Sequence, residues 1–357
     1  MQRVTFLLRI AAEGGPKLAM TCSWPSGVRI HINCFIPPTP NVLAIEWKVE
    51  GWTPQTRTGN GVSPVWFSLY RWADPTVQAF GARFFGDYRH DTFRVSSDPK
   101  ASPLPPPSVK QDNGFSYIEQ TFPPDGLFPD GFRYAITPFA PGMAIHSVDM
   151  TPTGEARLHI MPVADKLEGR LVVVVTTSSD KGGPIEELRR VAAPLQENAG
   201  ETIAGWQEET RKKAAEFWSK SRVQIADPVL ENLWYETLYA RRCTCRNDTV
   251  PPGLFLPSTV QDYSHWHGDY HTNYNIQEPY WGDYTANHFE LGDAYFKAIE
   301  FFLPIGRVWQ IDQGSGPPHR RGRLYVRQEV NGAVEVGGRA EFVACGTLLH
   351  EAREGGK

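Results

Sequence analysis

The pattern of apolar and polar residues divides the chain into a strand-rich part and a helix-rich part. Up to about residue 180, apolar residues alternate with polar ones, as at Leu43, Ile45, Trp47 and Val49. This period of two is expected of strands that bury one face of a sheet. Similar short runs, bounded by Gly, Pro or Asp, cover residues 28–32, 132–137, 144–150, 155–161 and 170–177. So many short strands predict a β-sandwich.

From about Pro184 the apolar spacing becomes helical. A connecting helix is predicted by residues, apolar except for Thr210, that keep one face through a charged stretch: Ile203, Trp206, Thr210, Ala214, Phe217 and Trp218. Asp227 and Pro228 supply a cap and a first-turn proline for a second helix, whose inner face should run from Leu230 to Arg241. A third helix is predicted over Thr285–Leu303, and its apolar residues are Phe289, Ala294, Phe296, Ile299 and Phe302.

Composition narrows the class of protein. The chain has 357 residues, more than one hydrophobic core usually supports, so we expect two domains. Its 41% hydrophobic content indicates a globular protein, and its net charge of −4 gives no reason to expect nucleic acid or a membrane surface as partner. No apolar stretch is long enough for a transmembrane helix, and no convincing signal peptide is visible.

The cysteines predict neither a metal site nor a disulfide framework. There are five of them, an odd number, and their positions lack the paired spacing of zinc ligands: Cys22, Cys34, Cys243, Cys245 and Cys345. We therefore expect reduced thiols, with no metal and no cofactor.

Residues 265–290 have a composition typical of a sugar pocket. Aromatic rings, histidines, carboxylates and amides crowd together there, and aliphatic residues almost vanish. A hydrophobic core avoids such polar groups because burying them unpaired is costly. A carbohydrate offers hydroxyls for hydrogen bonds and flat C–H faces for aromatic rings. We therefore expect carbohydrate as the partner.

Within this segment, the string WHGDYHTNYNIQ (Trp266 to Gln277), followed by Tyr280 and Trp281, resembles the His-x-Asn-x-Asn-x-Gln signature of glycoside hydrolase family 95. These are α-L-fucosidase-like enzymes, related to other (α/α)6-barrel glycosidases. Further matches flank the string, at residues 216–218, 230–239, 251–254 and 287–291. The resemblance covers residues 200–303 well and the strand-rich part only loosely.

The resemblance implies a multidomain β + α fold, with an N-terminal β-super-sandwich, a helical linker and an (α/α)6 barrel. The corresponding divisions are 1–183, 184–226 and 227–303, the last being only the first part of a barrel. Because such enzymes are longer at both ends, we expect a fragment. A Gly/Arg-rich tail, 304–357, holds 10 of the 32 glycines and lacks helical periodicity. Either the reading frame departs there from the ancestral sequence or the tail is a divergent insertion.

The resemblance also implies an inverting hydrolysis, in which an acid protonates the leaving oxygen while a base activates water on the opposite face. The base role falls to Asn273, assisted by a carboxylate, and Asn275 helps to position water. An amide alone is a very poor base, so this carboxylate is essential. No residue of the chain matches the context of the family's glutamate acid. The residues expected to bind sugar are Trp266, His267, Asp269, His271, Gln277, Tyr280 and Trp281.

Plain structural roles stay open for all of these residues. Asn273 and Asn275 could cap a helix or satisfy loop backbone, and His267 and His271 could donate to backbone carbonyls. The aromatic residues could pack inside a barrel. Asp269 and the neighbouring Glu278 could bind hydroxyls or be solvated.

Two classes of function follow. The first is a glycoside hydrolase that releases a terminal sugar, an α-L-fucoside or a related one. The second is a catalytically inactive carbohydrate-binding fragment that lacks the general acid. A phosphorylase would need a phosphate site, and no basic or Gly-rich group of residues near the motif suggests one. Family members are often secreted or periplasmic, so the resemblance implies such a location.

Overall fold

The computed structural model describes residues 3–9, 17–53, 65–71, 105–112, 114–124, 128–148, 156–162, 166–246, 251–253, 274–302, 324–328 and 334–338. Its strands are β1 (Arg3–Arg9), β2 (Lys17–Ser23), β3 (Arg29–Phe35), β4 (Val42–Glu50), β5 (Phe67–Arg71), β6 (Ser108–Asp112), β7 (Phe115–Phe122), β8 (Phe132–Phe139), β9 (Met143–Val148), β10 (Ala156–Pro162), β11 (Glu168–Thr177), β12 (Leu324–Gln328) and β13 (Val334–Gly338). Its α-helices are α1 (Pro184–Trp218), α2 (Pro228–Thr244), α3 (Tyr274–Thr285) and α4 (Asp293–Phe302), with a 3-10 turn at Phe289–Gly292. The predicted order of strands followed by helices is confirmed.

The strands form two antiparallel sheets in the first part of the chain. The larger sheet has eight strands in the order β1-β2-β3-β4-β11-β8-β7-β6, and the smaller has the order β5-β10-β9. Strand β11 is inserted between β4 and β8, where Leu171 pairs with Ile45 and Val174 pairs with Thr137. In the tail, β12 and β13 pair only with each other.

Strand β11 shows why the larger sheet is the middle layer of this part. Leu171 and Val173 point to one face, where they join Ile160 of the smaller sheet in a buried cluster. Val172 and Val174 point to the other face and pack with residues of α1. Because both faces are covered, the strand is a continuous apolar run and not an alternating one. Each such side chain contributes about 1.5–3 kcal/mol when fully buried.

Helix α1 consists of two segments joined at a kink. Asn198 has non-helical angles (φ −154°, ψ 88°), four residues after Pro194, which cannot donate a backbone hydrogen bond. The Asn198 side chain accepts from the backbone N–H of Glu201 at 3.2 Å, as an N-cap does, and the Thr202 hydroxyl donates to the Pro194 carbonyl at 3.0 Å. The segment before Asn198 therefore covers the sheet. The segment after it begins with its own N-cap and leads to the later helices.

The sequence predicted the start of α2 correctly but not its inner face. The Asp227 carboxylate accepts from the backbone N–H groups of Val229 and Leu230, at 2.9 and 3.3 Å. Of the expected inner residues, Leu238 is buried, whereas Leu230 and Leu233 are more than half exposed. The first half of this helix is instead contacted along Trp234 and Tyr235, the latter through the Trp218 ring and the Val223 carbonyl.

The predicted single helix over Thr285–Leu303 is wrong. Thr285 is the last residue of α3, and Asn287 then takes a left-handed conformation (φ 60°), which commonly ends helices. The chain turns through the 3-10 segment before α4 begins, so the helical register is reset. Of the apolar residues predicted on that helix, Ala294 is buried, whereas Phe289 and Phe296 are exposed. None of the described helices is long and apolar enough to cross a membrane.

Candidate functional site

The structure describes only the second half of the asparagine motif. Tyr274 opens α3, and Asn275, Gln277, Tyr280 and Trp281 lie within it. The remaining residues predicted for the site lie outside the described residues: Trp266, His267, Asp269, His271 and Asn273. Their predicted roles stay predictions.

Helix α3 has a clear inner and outer face. Ile276, Tyr280 and Asp283 are buried at spacings of four and three residues, as a packed helical stripe requires. Tyr280 therefore packs in the helical core, which is the structural role left open for it, and does not lie on the outer face. Gln277 is half-buried and hydrogen-bonds to Tyr295 of α4. These contacts point Gln277 and Tyr280 away from solvent.

The outer face of α3 groups two rings, an amide and a carboxylate. Tyr274 and Trp281 are each 53% exposed, and their rings meet edge-on with centroids 5.9 Å apart. Asn275 and Glu278 are exposed on the same side of the helix. A hydrogen bond to the Glu278 carboxylate raises the pKa of Tyr274, so this phenol donates to Glu278. We name this group, Tyr274, Asn275, Glu278 and Trp281, the α3 surface.

A buried ion pair fixes the inner face of α3 to α2. The Arg241 Nε lies 3.1 Å from both carboxylate oxygens of Asp283, and its terminal nitrogen contacts the second oxygen as well. Burial acts to lower the pKa of Arg241, but the hydrogen bond to Asp283 together with the charges of Cys245, Asp283 and Tyr280 raises that pKa. The guanidinium also lies 4.3 Å from the centroid of the Tyr280 ring, at cation–π distance. Arg241 thereby sets how α3 is rotated and which of its residues face solvent.

Tyr280 and Cys245 complete this inner contact. Burial raises the pKa of the Tyr280 hydroxyl and that of the Cys245 thiol, so both groups stay protonated at neutral pH. Their polar atoms are 3.9 Å apart. The described cysteines are free thiols, and no cluster suited to a metal ion occurs among the residues that the structure describes.

A second polar group joins the end of α1 to the turn after α3. The ring of His288 is fully buried and stacks on Phe217, with centroids 3.9 Å apart. Its Nε2 lies 3.2 Å from the Ser221 hydroxyl, and its Nδ1 lies 3.0 Å from the Glu290 carboxylate. Lys220 reaches the same carboxylate at 2.8 Å. We name Lys220, Ser221, His288 and Glu290 the His288 cluster, and its contacts hold the linker against the helices.

Acid should weaken the His288 cluster. Burial acts to raise the pKa of Glu290, but hydrogen bonds from Lys220 and His288 outweigh it and hold the pKa below the ordinary 4.5. A depressed folded-state pKa contributes stability above the unfolded value, and this contribution is lost as the pH falls through the folded value. The free energy of unfolding, measured in urea between about pH 3 and pH 7, should therefore fall below about pH 4.5. In Glu290→Gln this fall should be smaller. If Glu290→Gln loses as much stability at low pH as the unaltered chain does, the His288 cluster contributes nothing to the acid sensitivity.

Comparison with known proteins finds likeness only among solved structures. No family model matches the sequence, and no curated protein matches it. Among solved structures, a bacterial glucoamylase complexed with acarbose aligns with a TM-score of 0.41 and 10% sequence identity. The alignment covers 85% of this chain and 42% of the glucoamylase, so the chain spans less than half of that protein. At this level of similarity the glucoamylase says nothing about the function of the chain, and the residues of α3 carry the functional information.

Proposed function

We propose that this chain is glycoside hydrolase-like and that the α3 surface forms one wall of its sugar site. The observation that carries the proposal is the exposed Trp281 ring, which contacts Tyr274 on the same face of α3 as the Glu278 carboxylate, with Asn275 exposed in the first turn. A pyranoside presents C–H groups that stack on an indole and hydroxyls that hydrogen-bond to amide and carboxylate oxygens. The α3 surface supplies each of these partners on one helix face.

The reaction that fits the motif is the inverting hydrolysis of a terminal sugar, an α-L-fucoside or a related one. Asn273 directly precedes α3 in the chain, and Asn275 is in its first turn. In this proposal Asn273 takes a proton from the attacking water, and Asn275 orients that water. A carboxylate has to polarise Asn273, and a carboxylic acid on the opposite side of the sugar has to protonate the leaving oxygen.

Asp283 does not fit either of these carboxylate roles. It is buried behind α3, and both of its oxygens are bound by Arg241. Because the Asp283 carboxylate is bound by Arg241, it is not free for catalysis. This favours a second candidate function, in which the chain binds carbohydrate through the α3 surface without hydrolysing it. The two candidates share the sugar-binding wall and differ in whether a sugar is released.

Substituting Trp281 with alanine tests the shared part of both candidates. Removing a stacking ring typically costs about 1–3 kcal/mol in other stacked complexes, so we expect saccharide affinity to fall about tenfold or more. The measurement is a calorimetric titration of the chain with 2′-fucosyllactose and a panel of neutral methyl glycosides. Trp66→Ala is the matched control, because Trp66 is similarly exposed but lies beside β5, outside the α3 surface.

Saccharide binding by the two variants shows whether the α3 surface is a sugar wall. Binding that is weakened by Trp281→Ala and unaffected by Trp66→Ala supports the α3 surface as a sugar wall. Equal binding by both variants, or no binding to any saccharide, contradicts it. Release of the sugar by the unaltered chain then distinguishes the hydrolase from the binding protein.

A further inference from the structure

The outer face of α3 contains one position without a side chain, Gly282. This residue is exposed, and its carbonyl accepts a hydrogen bond from the backbone N–H of Ala286 at 3.0 Å, as in a regular α-helix. A Cβ at Gly282 would meet no atom of the described residues within 4 Å. Glycine is also a poorer helix former than alanine. Within the described part of the chain, neither the helical backbone nor side-chain packing therefore requires glycine here.

The glycine leaves part of the helix surface uncovered. Side chains on a helix lean toward its N-terminus, so each of them covers the turn that precedes its own Cα. A side chain at position 282 would therefore lie beside Glu278, four residues earlier, and extend toward Asn275, seven residues earlier. Because Gly282 has no side chain, a ligand can approach the helix backbone at this point.

The polar side chains beside this opening are Asn275 and Glu278, both exposed. Residues three apart on a helix have Cβ atoms about 5–6 Å apart, so one sugar ring can reach both. The Asn275 amide donates and accepts hydrogen bonds. The Glu278 carboxylate accepts from the phenol of Tyr274 and still has lone pairs for a sugar hydroxyl. Since this carboxylate would repel an anionic sugar such as a uronate, a neutral sugar fits the opening.

Trp281 lies on the other side of Glu278. Asn275 and Trp281 are each three residues from Glu278, in opposite directions along the chain, and so flank it on the helix surface. A sugar ring placed over Gly282 therefore leaves the exposed indole of Trp281 for the neighbouring unit of the same saccharide. The α3 surface thus divides into an opening at Gly282 and an aromatic wall at Trp281.

We propose that Gly282 determines specificity, because the opening over it seats one neutral sugar ring against the backbone of α3, within reach of Asn275 and Glu278. A larger residue at this position excludes that ring. The inference rests on the function proposed for the α3 surface, and it adds where on that surface the sugar lies and which class of sugar fits.

The test fills the opening with Gly282→Leu. Calorimetric titration with 2′-fucosyllactose should show affinity lowered about tenfold or more, since hydrogen bonds to both Asn275 and Glu278 are lost. Gly205→Leu is the matched control, because Gly205 is an exposed glycine of α1 at which a Cβ likewise meets nothing within 4 Å among the described residues. It should leave the affinity unchanged. Both variants should unfold at no lower urea concentration than the unaltered chain, because leucine is a better helix former than glycine.

A double substitution shows whether leucine acts at the opening. Asn275→Ala should weaken binding in the unaltered chain but add little to Gly282→Leu, which already blocks access to Asn275. Fully additive losses overturn the inference, as does a methyl glucuronide that binds as tightly as the methyl glucoside.

The inference and the proposed function fail in different ways. If Trp281→Ala weakens binding while Gly282→Leu titrates like the unaltered chain, the inference is overturned and the sugar wall stands. If the unaltered chain binds no saccharide, or if Trp281→Ala binds as tightly as the unaltered chain, the α3 surface is itself contradicted and the inference falls with it.

Discussion

Replacing Asn273 with alanine should abolish the release of sugar from aryl α-L-fucosides or related aryl glycosides. General-base catalysis contributes typically about 10²- to 10⁴-fold, so kcat should fall by that factor while KM changes little. The effect is large because alanine has no oxygen with which to accept the proton of the attacking water. The measurement is steady-state release of the aryl alcohol by the full chain and by the variant.

Two further variants make this result interpretable. Asn275→Ala should reduce kcat less, because a residue that orients water is assisted by the sugar and by neighbouring groups. Asn33→Ala, at an exposed asparagine of β3, should change nothing. Undiminished turnover in Asn273→Ala would exclude the base role. An unaltered chain that binds saccharide through Trp281 yet releases none would instead establish the binding protein.

Replacing Arg241 with methionine should destabilise the helical part by about 3–5 kcal/mol, the usual cost of removing one partner from a buried ion pair. The substitution leaves Asp283, which is 2% exposed, as an uncompensated charge behind α3. It also removes the cation from the face of Tyr280. Urea unfolding followed by tryptophan fluorescence measures the loss, since Trp218 and Trp234 pack against this core.

Arg242→Met is the matched control for the neighbouring arginine. Its guanidinium lies 5.1 Å from the Phe217 ring, so the loss should be limited to about 1 kcal/mol of cation–π energy. The double substitution Arg241→Met with Asp283→Leu should recover much of the stability, because two apolar side chains leave no unpaired charge. Equal effects of Arg241→Met and Arg242→Met would mean that the ion pair does not anchor α3.

The strands were predictable because their pattern reflects a local rule. Alternation at Leu43, Ile45, Trp47 and Val49 places these residues on one face, and the structure has them on the strand β4. The Asp227 cap was predictable for the same reason, since capping involves only neighbouring residues. The partner of each strand was not predictable, because β11 pairs with β4 across a long stretch of sequence.

The sugar site stays a prediction, and only the packing of α3 can be compared with the sequence. Composition alone pointed to residues 265–290, and the exposed Trp281 fits that expectation. The sequence could not tell that Tyr280, one residue earlier, faces inward, because the segment has too few aliphatic residues to reveal a helical stripe. Arg241 was placed on the inner face of α2, but only the fold shows that Asp283 meets it. Long-range polar pairs of this kind leave no periodic signal in a sequence.

The insertion of β11 beside β4 has a consequence for synthesis on the ribosome. Strands β1 to β4 can pair with one another early, but β4 keeps an open hydrogen-bonding edge until residues 168–177 have emerged. Open strand edges are templates for pairing with other chains, and non-local strand pairing is intrinsically slow. During that interval the nascent chain is most vulnerable to aggregation, and chaperones that shield β-edges should raise the yield of folded protein.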